Sequence, residues 1–146
     1  MDNIRALFFD VGGTIFDWKN TAREKIQTLA AEKGQVMDCE AFAVDWREEM
    51  MRVHMQVRQG NLLWINSDDM HLRALDSLTN SYPFLTLIDR MSLVKSTWHN
   101  LKAFAGAPEA ISRLRSKYTG VVLSILSWES IVNSSKRANV QWDGIL

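Results

Sequence analysis

The chain has 146 residues, enough for one ordinary domain, and its 47% hydrophobic and 23% charged residues are typical of a globular protein. Basic and acidic residues both number 17, which argues against a nucleic-acid or anionic-membrane partner, and no apolar run approaches the roughly 18–20 residues that span a bilayer. The N-terminus does not resemble a signal peptide, and the single cysteine, Cys39, excludes an internal disulfide. These features predict a cytoplasmic location.

The first predicted element is a buried parallel strand over Ile4–Asp10, because this apolar run lacks polar alternation. A tight turn over Val11–Thr14 follows. Amphipathic spacing then predicts four helices, the second capped by Asp38 and the third by Ser67; they span Thr21–Lys33, Cys39–Gln59, Ser67–Ser77 and Leu85–His99.

The remaining sequence returns to a strand–helix alternation. Residues 101–107 are predicted to form a loop, and Pro108 opens a helix to about Lys117. A second buried strand is expected over Val121–Leu126 and a helix over Glu129–Ala138, before an apolar tail at 140–146 that resembles the start of a third strand.

Together these elements predict an α/β fold of Rossmann-like type. Residues 1–14 and 101–146 would form a partial parallel sheet with its helices, and residues 15–100 an inserted all-helical region. A sheet of two strands cannot bury both faces or protect its edges. We therefore expect the rest of the sheet to follow Leu146 or to come from another chain, so that this chain forms a homo-oligomer or pairs with a complementary C-terminal fragment.

Asp10 is the strongest candidate for a catalytic residue. It ends the first strand, and ligands of open parallel sheets bind beyond the carboxyl ends of the strands. Gly12 and Gly13 permit a sharp turn whose amides can surround an anion, and Thr14 can orient the carboxylate. A carboxylate held in this way can act as a nucleophile; the alternative is that Asp10 only caps the turn.

Ser127 follows the second predicted strand and is expected to lie beside Asp10. Its hydroxyl could bind a substrate carboxylate or phosphate, or it could simply cap the next helix. The histidines His54, His71 and His99 lack metal-ligand spacing and are interpreted as structural, as is Cys39.

The segment Phe8–Thr14 (FFDVGGT) resembles the first motif of the haloacid dehalogenase (HAD) superfamily. The segment Val121–Ser127 resembles its second motif. The helical insert lies where that superfamily has a cap. Trp46-Arg47, Leu63-Trp64 and Trp98–Leu101 are similar to the 2-haloacid dehalogenases in particular. The resemblance implies a HAD core with a helical cap and a hydrolase whose aspartate displaces halide from a small 2-haloacid.

The resemblance also implies roles for individual residues. Asp10 would be the nucleophile, Arg47 would hold the departing halide, and Thr14 and Ser127 would position carboxylates. An arginine suits the halide because it stays charged and is weakly hydrated; the alternative is a surface arginine paired with Glu48 or Glu49. The positions implied to bind the substrate are Val11, Gly12, Gly13, Trp46, Trp64 and Trp128.

Gly12 distinguishes between two chemistries. HAD phosphatases carry an aspartate two residues after the nucleophile, as the acid that protonates the leaving alkoxide, whereas a halide leaves without a proton. Gly12 therefore favours carbon–halogen cleavage. The dehalogenases more often have an aromatic residue here, and Trp128-Glu129 replaces their usual Asn-Gly, which leaves substrate size and carboxylate contacts open.

Three functions remain at this point. The first is a dehalogenase without cofactor or metal, acting on a small anionic substrate. The second is a phosphatase or phosphonatase that uses Mg²⁺. The third is a non-catalytic protein that binds an anion or a partner, because the superfamily's lysine and acidic motifs have no match before Leu146.

Overall fold

A computed structural model describes residues 3–146. Residues 1 and 2, which the sequence analysis assigns to the core segment 1–14, lie outside the described residues. The chain divides into two compact units: one comprises the residues up to Trp18 together with His99–Leu146, and the other comprises Lys19–Trp98. The domain boundaries at 14/15 and 100/101 stay predictions. No helix among the described residues is long and apolar enough to cross a membrane.

The sheet unit contains a three-stranded parallel sheet with the order β1-β4-β5, where β1 is Ala6–Phe9, β4 is Thr119–Val122 and β5 is Gly144–Ile145. Phe8 pairs with Val121 and Val121 with Gly144. The expectation that the two apolar segments are neighbouring parallel strands is confirmed. The apolar tail, which the sequence indicated as the start of a third strand, forms β5 and gives the sheet three strands.

Hydrogen bonds to the carboxylate of Asp143 hold the tail against the sheet. Arg115 lies 2.5 Å from the Asp143 carboxylate, which also accepts a 2.8 Å hydrogen bond from the Gly120 amide. The Arg115 hydrogen bond, followed by that of Gly120, lowers the pKa of Asp143 to about 2. A Cβ on Gly120 would come within 2.9 Å of the Arg115 Cγ, so glycine is needed here.

The same unit contains two further differences from the predicted elements. Phe16–Asp17 (β2) and Lys102–Ala103 (β3) form an antiparallel pair, so part of the predicted loop at 101–107 is a strand. Strand β4 ends at Val122 instead of Leu126. The Leu123 amide still donates to the carbonyl of Phe9, the last residue of β1, at 2.8 Å.

Two helices flank these strands in the sequence. Helix α5 (Ala107–Arg115) begins with Pro108 in its first turn, as predicted. Helix α6 (Trp128–Ala138) begins at the Ser127 cap and ends at Asn139, whose φ of 55° is left-handed. The Trp142 indole donates to Ser135 of α6 at 2.9 Å, which attaches the tail to this helix.

The outer strands of the described sheet are β1 and β5. Self-association of the chain through these edges stays a prediction.

The helical unit is built from α1 (Trp18–Glu32), α2 (Cys39–Arg58), α3 (Ser67–Ser77) and α4 (Leu87–Trp98). Asp38 caps α2 as predicted, accepting hydrogen bonds from two backbone amides of its first turn. The cap of α3 is Asn66, whose side chain accepts from the Asp69 amide, and the prediction of Ser67 was wrong by one residue.

An aromatic cluster in the core of this unit contains Phe42, Trp46, His71 and Trp98. The His71 ring stacks on Trp98 at a centroid distance of 3.7 Å, and Trp46 meets both rings edge-on at 5.6 Å. His71 is fully buried, and neither ring nitrogen has a hydrogen-bond partner. Burial, and secondarily the charge of Arg47, hold the pKa of His71 well below its ordinary value of 6.5.

We expect this buried histidine to make the protein less stable in mild acid. Since the pKa of His71 is lower in the folded than in the unfolded chain, the unfolded chain binds the extra proton first as the pH falls below 6.5. The free energy of unfolding should then decrease by up to about 1.4 kcal/mol per pH unit from this residue alone. Urea unfolding at pH 7.5, 6.5 and 5.5 measures this slope.

The variant His71→Phe keeps a flat ring against Trp98 but cannot titrate, and we expect it to lose most of the slope between pH 6.5 and 5.5. Trp64→Phe, at an exposed ring that does not titrate, is the control and should retain it. An equal slope in the wild type and in His71→Phe would contradict the prediction.

Candidate active site

Asp10 lies directly after β1, at the carboxyl end of the sheet, and its side chain is exposed. Its two carboxylate oxygens face different hydroxyl groups. Thr14 Oγ1 lies 3.4 Å from Oδ2, and Ser124 Oγ lies 3.4 Å from Oδ1. The predicted neighbourhood of Asp10 and Thr14 is therefore present, whereas Ser124 was not predicted.

The turn after Asp10 is held by backbone hydrogen bonds. The carbonyl of the fully buried Val11 accepts from the amides of Ile15 and Phe16 at 3.1 and 2.8 Å, and the Gly13 amide donates to Phe16 at 2.9 Å. Gly13 has a φ of 98°, a conformation that favours glycine, and a Cβ there would lie 3.3 Å from the Trp18 indole nitrogen. This turn fixes the position of Thr14 relative to Asp10.

Gly12 differs from Gly13, because its φ is not positive and a Cβ would meet only Leu126 at an ordinary 3.7 Å. A side chain would therefore be tolerated at this position. Within the turn, Gly12 leaves space that the aspartate of a HAD phosphatase or the aromatic residue of many dehalogenases would fill. Its predicted place at the substrate stays a prediction.

Ser127 acts as a helix cap. Its Oγ accepts from the Ser130 amide at 3.1 Å and lies 2.8 Å from Ser130 Oγ. Strand β4 ends at Val122, five residues before Ser127. Of the two serines between β4 and α6, Ser124 is the one that contacts Asp10. The helix cap that the sequence offered as the alternative role of Ser127 is present, and its binding of a substrate carboxylate or phosphate stays a prediction. Trp128, the first residue of α6, is 66% exposed.

Ser124 is the functional candidate that sequence reasoning missed. The prediction placed it inside a buried strand over 121–126, and not at the carboxyl end of the strand, where ligands bind. A sign was nonetheless present, because Ser124 is the polar residue of an otherwise apolar segment, Val121–Leu126.

The other predicted site residues belong to the helical unit. Arg47 is half-buried, and its Nη1 lies 3.7 Å from Met50 Sδ and 3.1 Å from Met51 Sδ. Arg52 forms ion pairs with Glu48 and Glu49. The alternative of a surface Arg47 paired with one of these glutamates stays a prediction.

The two tryptophans of the helical unit differ in exposure. Trp46 is completely buried and donates from its indole to the His71 carbonyl at 3.0 Å, whereas Trp64 is 79% exposed. Trp46 thus has a structural role in the aromatic cluster. The substrate-binding roles of Trp46, Trp64 and Arg47 stay predictions.

No protein-family model matches the sequence, and no curated protein matches it. Solved structures do match. An L-2-haloacid dehalogenase superposes with a TM-score of 0.90 at 26% identity, over 99% of this chain and 62% of that one. A defluorinating L-2-haloacid dehalogenase gives 0.91 at 23% identity, over 99% and 60%.

The L-2-haloacid dehalogenase of Xanthobacter autotrophicus, in a structure with chloropropionic acid covalently bound, gives a TM-score of 0.80 at 16% identity. That alignment covers 98% of this chain and 56% of the other. The chain thus spans about three fifths of the length of the dehalogenases it matches. The chain has the α/β fold of the L-2-haloacid dehalogenases, as the resemblance in the sequence implied.

Proposed function

We propose that the protein is a hydrolase that cleaves the carbon–halogen bond of a small 2-haloacid, with Asp10 as the nucleophile. The observation that carries the proposal is the Asp10 carboxylate, exposed at the end of β1 and contacted on each oxygen by a hydroxyl, in a fold shared with L-2-haloacid dehalogenases.

The proposed reaction has two steps. A carboxylate oxygen of Asp10 forms a bond to C2 of the substrate, and the halide leaves with the electron pair of the carbon–halogen bond. Water then attacks the carbonyl carbon of the resulting ester. The 2-hydroxy acid departs, the Asp10 carboxylate is regenerated, and one proton is released to solvent.

Residues of the chain would supply the remaining functions. Thr14 would keep one oxygen of Asp10 oriented, and the turn at Val11–Gly13 would leave room for the substrate beside it. Ser127 would contact the substrate carboxylate, and Arg47 would hold the departing halide. Trp64 and Trp128 would contribute to the walls of the binding site, and the buried Trp46 would support the helical unit from its core.

The chemistry of the leaving group favours a dehalogenase over a phosphatase. A departing alkoxide needs a proton donor, and Gly12 occupies the position where HAD phosphatases carry the acid. A departing halide needs none. The proposal therefore requires no metal, whereas a phosphatase or phosphonatase of this superfamily would use Mg²⁺.

Halide release tests the proposal. We expect chloride release from L-2-chloropropionate that is unaffected by EDTA, together with a product of the mass of lactate. p-Nitrophenyl phosphate with Mg²⁺ serves as the second substrate. Turnover of the phosphate alone, and only with Mg²⁺, would favour a phosphatase, and turnover of neither substrate would favour an anion-binding protein without catalysis.

A further inference from the structure

Ser124 differs from the other hydroxyls near Asp10 in how it is held. Its Oγ lies 3.4 Å from Asp10 Oδ1 and accepts a 3.3 Å hydrogen bond from the backbone amide of Leu126. Because that amide occupies the serine oxygen as an acceptor, the hydroxyl hydrogen remains to be donated to the carboxylate. An ionised carboxylate only accepts hydrogen bonds, so Ser124 is the donor of this pair.

The two oxygens of Asp10 are therefore not equivalent. Oδ2 faces Thr14, whose side chain is exposed, whereas Oδ1 faces Ser124, which is half-buried. A substrate that arrives from solvent reaches the Thr14 side more easily. Oδ2 is thus the oxygen available for attack, and Oδ1 remains on the Ser124 side during the reaction.

We propose that Ser124 is a further catalytic residue, whose hydroxyl stabilises the negative charge that develops on Oδ1 when water attacks the Asp10 ester. This inference rests on the proposed function. In the first step Oδ2 bonds to C2 of the haloacid and the halide leaves with the bonding pair, so Oδ1 becomes the carbonyl oxygen of the ester.

In the second step water adds to Cγ of Asp10, and the π electrons of the carbonyl move onto Oδ1, where the Ser124 hydroxyl donates. The pair then returns to reform the carbonyl, the Cγ–Oδ2 bond breaks, and Oδ2 leaves with the 2-hydroxy acid after taking a proton from the attacking water. The other water proton goes to solvent. A donor already positioned at such an oxygen typically contributes about 10²–10³-fold to the rate.

The inference predicts that the second step is impaired more than the first in Ser124→Ala. We expect the variant to release about one equivalent of chloride per chain from L-2-chloropropionate and then to turn over about 10²-fold more slowly than the wild type, at similar KM. The ester should accumulate, and mass spectrometry of the peptide that contains Asp10 should show the added propionate group.

Two further variants separate the hydroxyl from the shape of the side chain. Ser124→Thr keeps the hydroxyl and Ser124→Val replaces it with a methyl group of similar size, so only the threonine should restore turnover. The exposed Ser112→Ala on α5 is the control and should behave as the wild type. If the alanine variant fails to fold, as judged by circular dichroism, the threonine–valine pair decides.

The experiment distinguishes a failure of the role proposed for Ser124 from a failure of the proposed function. A wild type that turns over, with Ser124→Ala or Ser124→Val equally active and without accumulated ester, overturns the role of Ser124 but not the proposed function. A wild type that neither releases halide nor forms an ester on Asp10 overturns the proposed function, and the role of Ser124 with it.

Discussion

Asp10→Asn should abolish halide release from 2-haloacids, lowering the rate by at least about 10³-fold relative to the wild type. The amide is nearly the same size as the carboxylate but has lost the anionic oxygen that forms the bond to C2. The amide keeps one oxygen that can accept a hydrogen bond from Thr14 or Ser124, so the fold should be preserved. Single-turnover chloride release measures the loss of the first step. The mass of the peptide that contains residue 10 shows whether an ester has formed.

A second variant controls for the loss of charge. Asp17→Asn removes a carboxylate from the neighbouring strand β2 and should leave halide release within about twofold of the wild type, since Asp17 is not part of the proposed reaction. Equal chloride release by Asp10→Asn and the wild type would show that Asp10 is not the nucleophile. The ester would then have to be sought on another side chain.

Trp46→Ala should destabilise the protein by about 3–5 kcal/mol, a large share of the about 5–15 kcal/mol that keeps a typical domain folded. Trp46 is completely buried, its ring contacts Phe42, His71 and Trp98, and its indole donates to the His71 carbonyl at 3.0 Å. Truncation would leave a cavity among these rings and remove the hydrogen bond from the indole to the His71 carbonyl. Urea unfolding at neutral pH, followed by circular dichroism, measures the loss.

Trp64→Ala is the matched control, because Trp64 is 79% exposed, and its free energy of unfolding should stay within about 0.5 kcal/mol of the wild type. Trp46→Phe should fall between the two, since it keeps a ring in the cluster but removes the indole donor. Equal stability of Trp46→Ala and Trp64→Ala would contradict the structural role assigned to Trp46.

The elements that sequence reasoning placed well are those with strong local signals. Helix α2 was predicted with its start at Cys39, because Asp38 is a good cap and Phe42, Trp46 and Met50 repeat every four residues. The parallel pairing of β1 with β4 followed from two apolar segments without alternation. In these cases the residues that decide the element lie within it.

The elements that were missed depend on distant partners. Strands β2 and β3 have two residues each, too few for a periodic pattern, and they exist because they pair with each other. The apolar tail indicated β5, but its bounds depend on its pairing with β4. Asp143 joins β5 to Arg115 and Gly120, which precede it by more than twenty residues. Long-range pairing of this kind cannot be derived from local propensity.

The sequence by itself determined the α/β class, the helical insert, and Asp10 as the candidate nucleophile at the end of a buried strand. Only the tertiary structure decided which hydroxyl reaches that carboxylate. Strand β4 ends at Val122, level with Phe9 of β1, and Ser124 lies two residues further on beside Asp10, while Ser127 caps α6. Local sequence encodes helix caps and apolar runs, but the residues that two strands bring side by side depend on the register of their pairing.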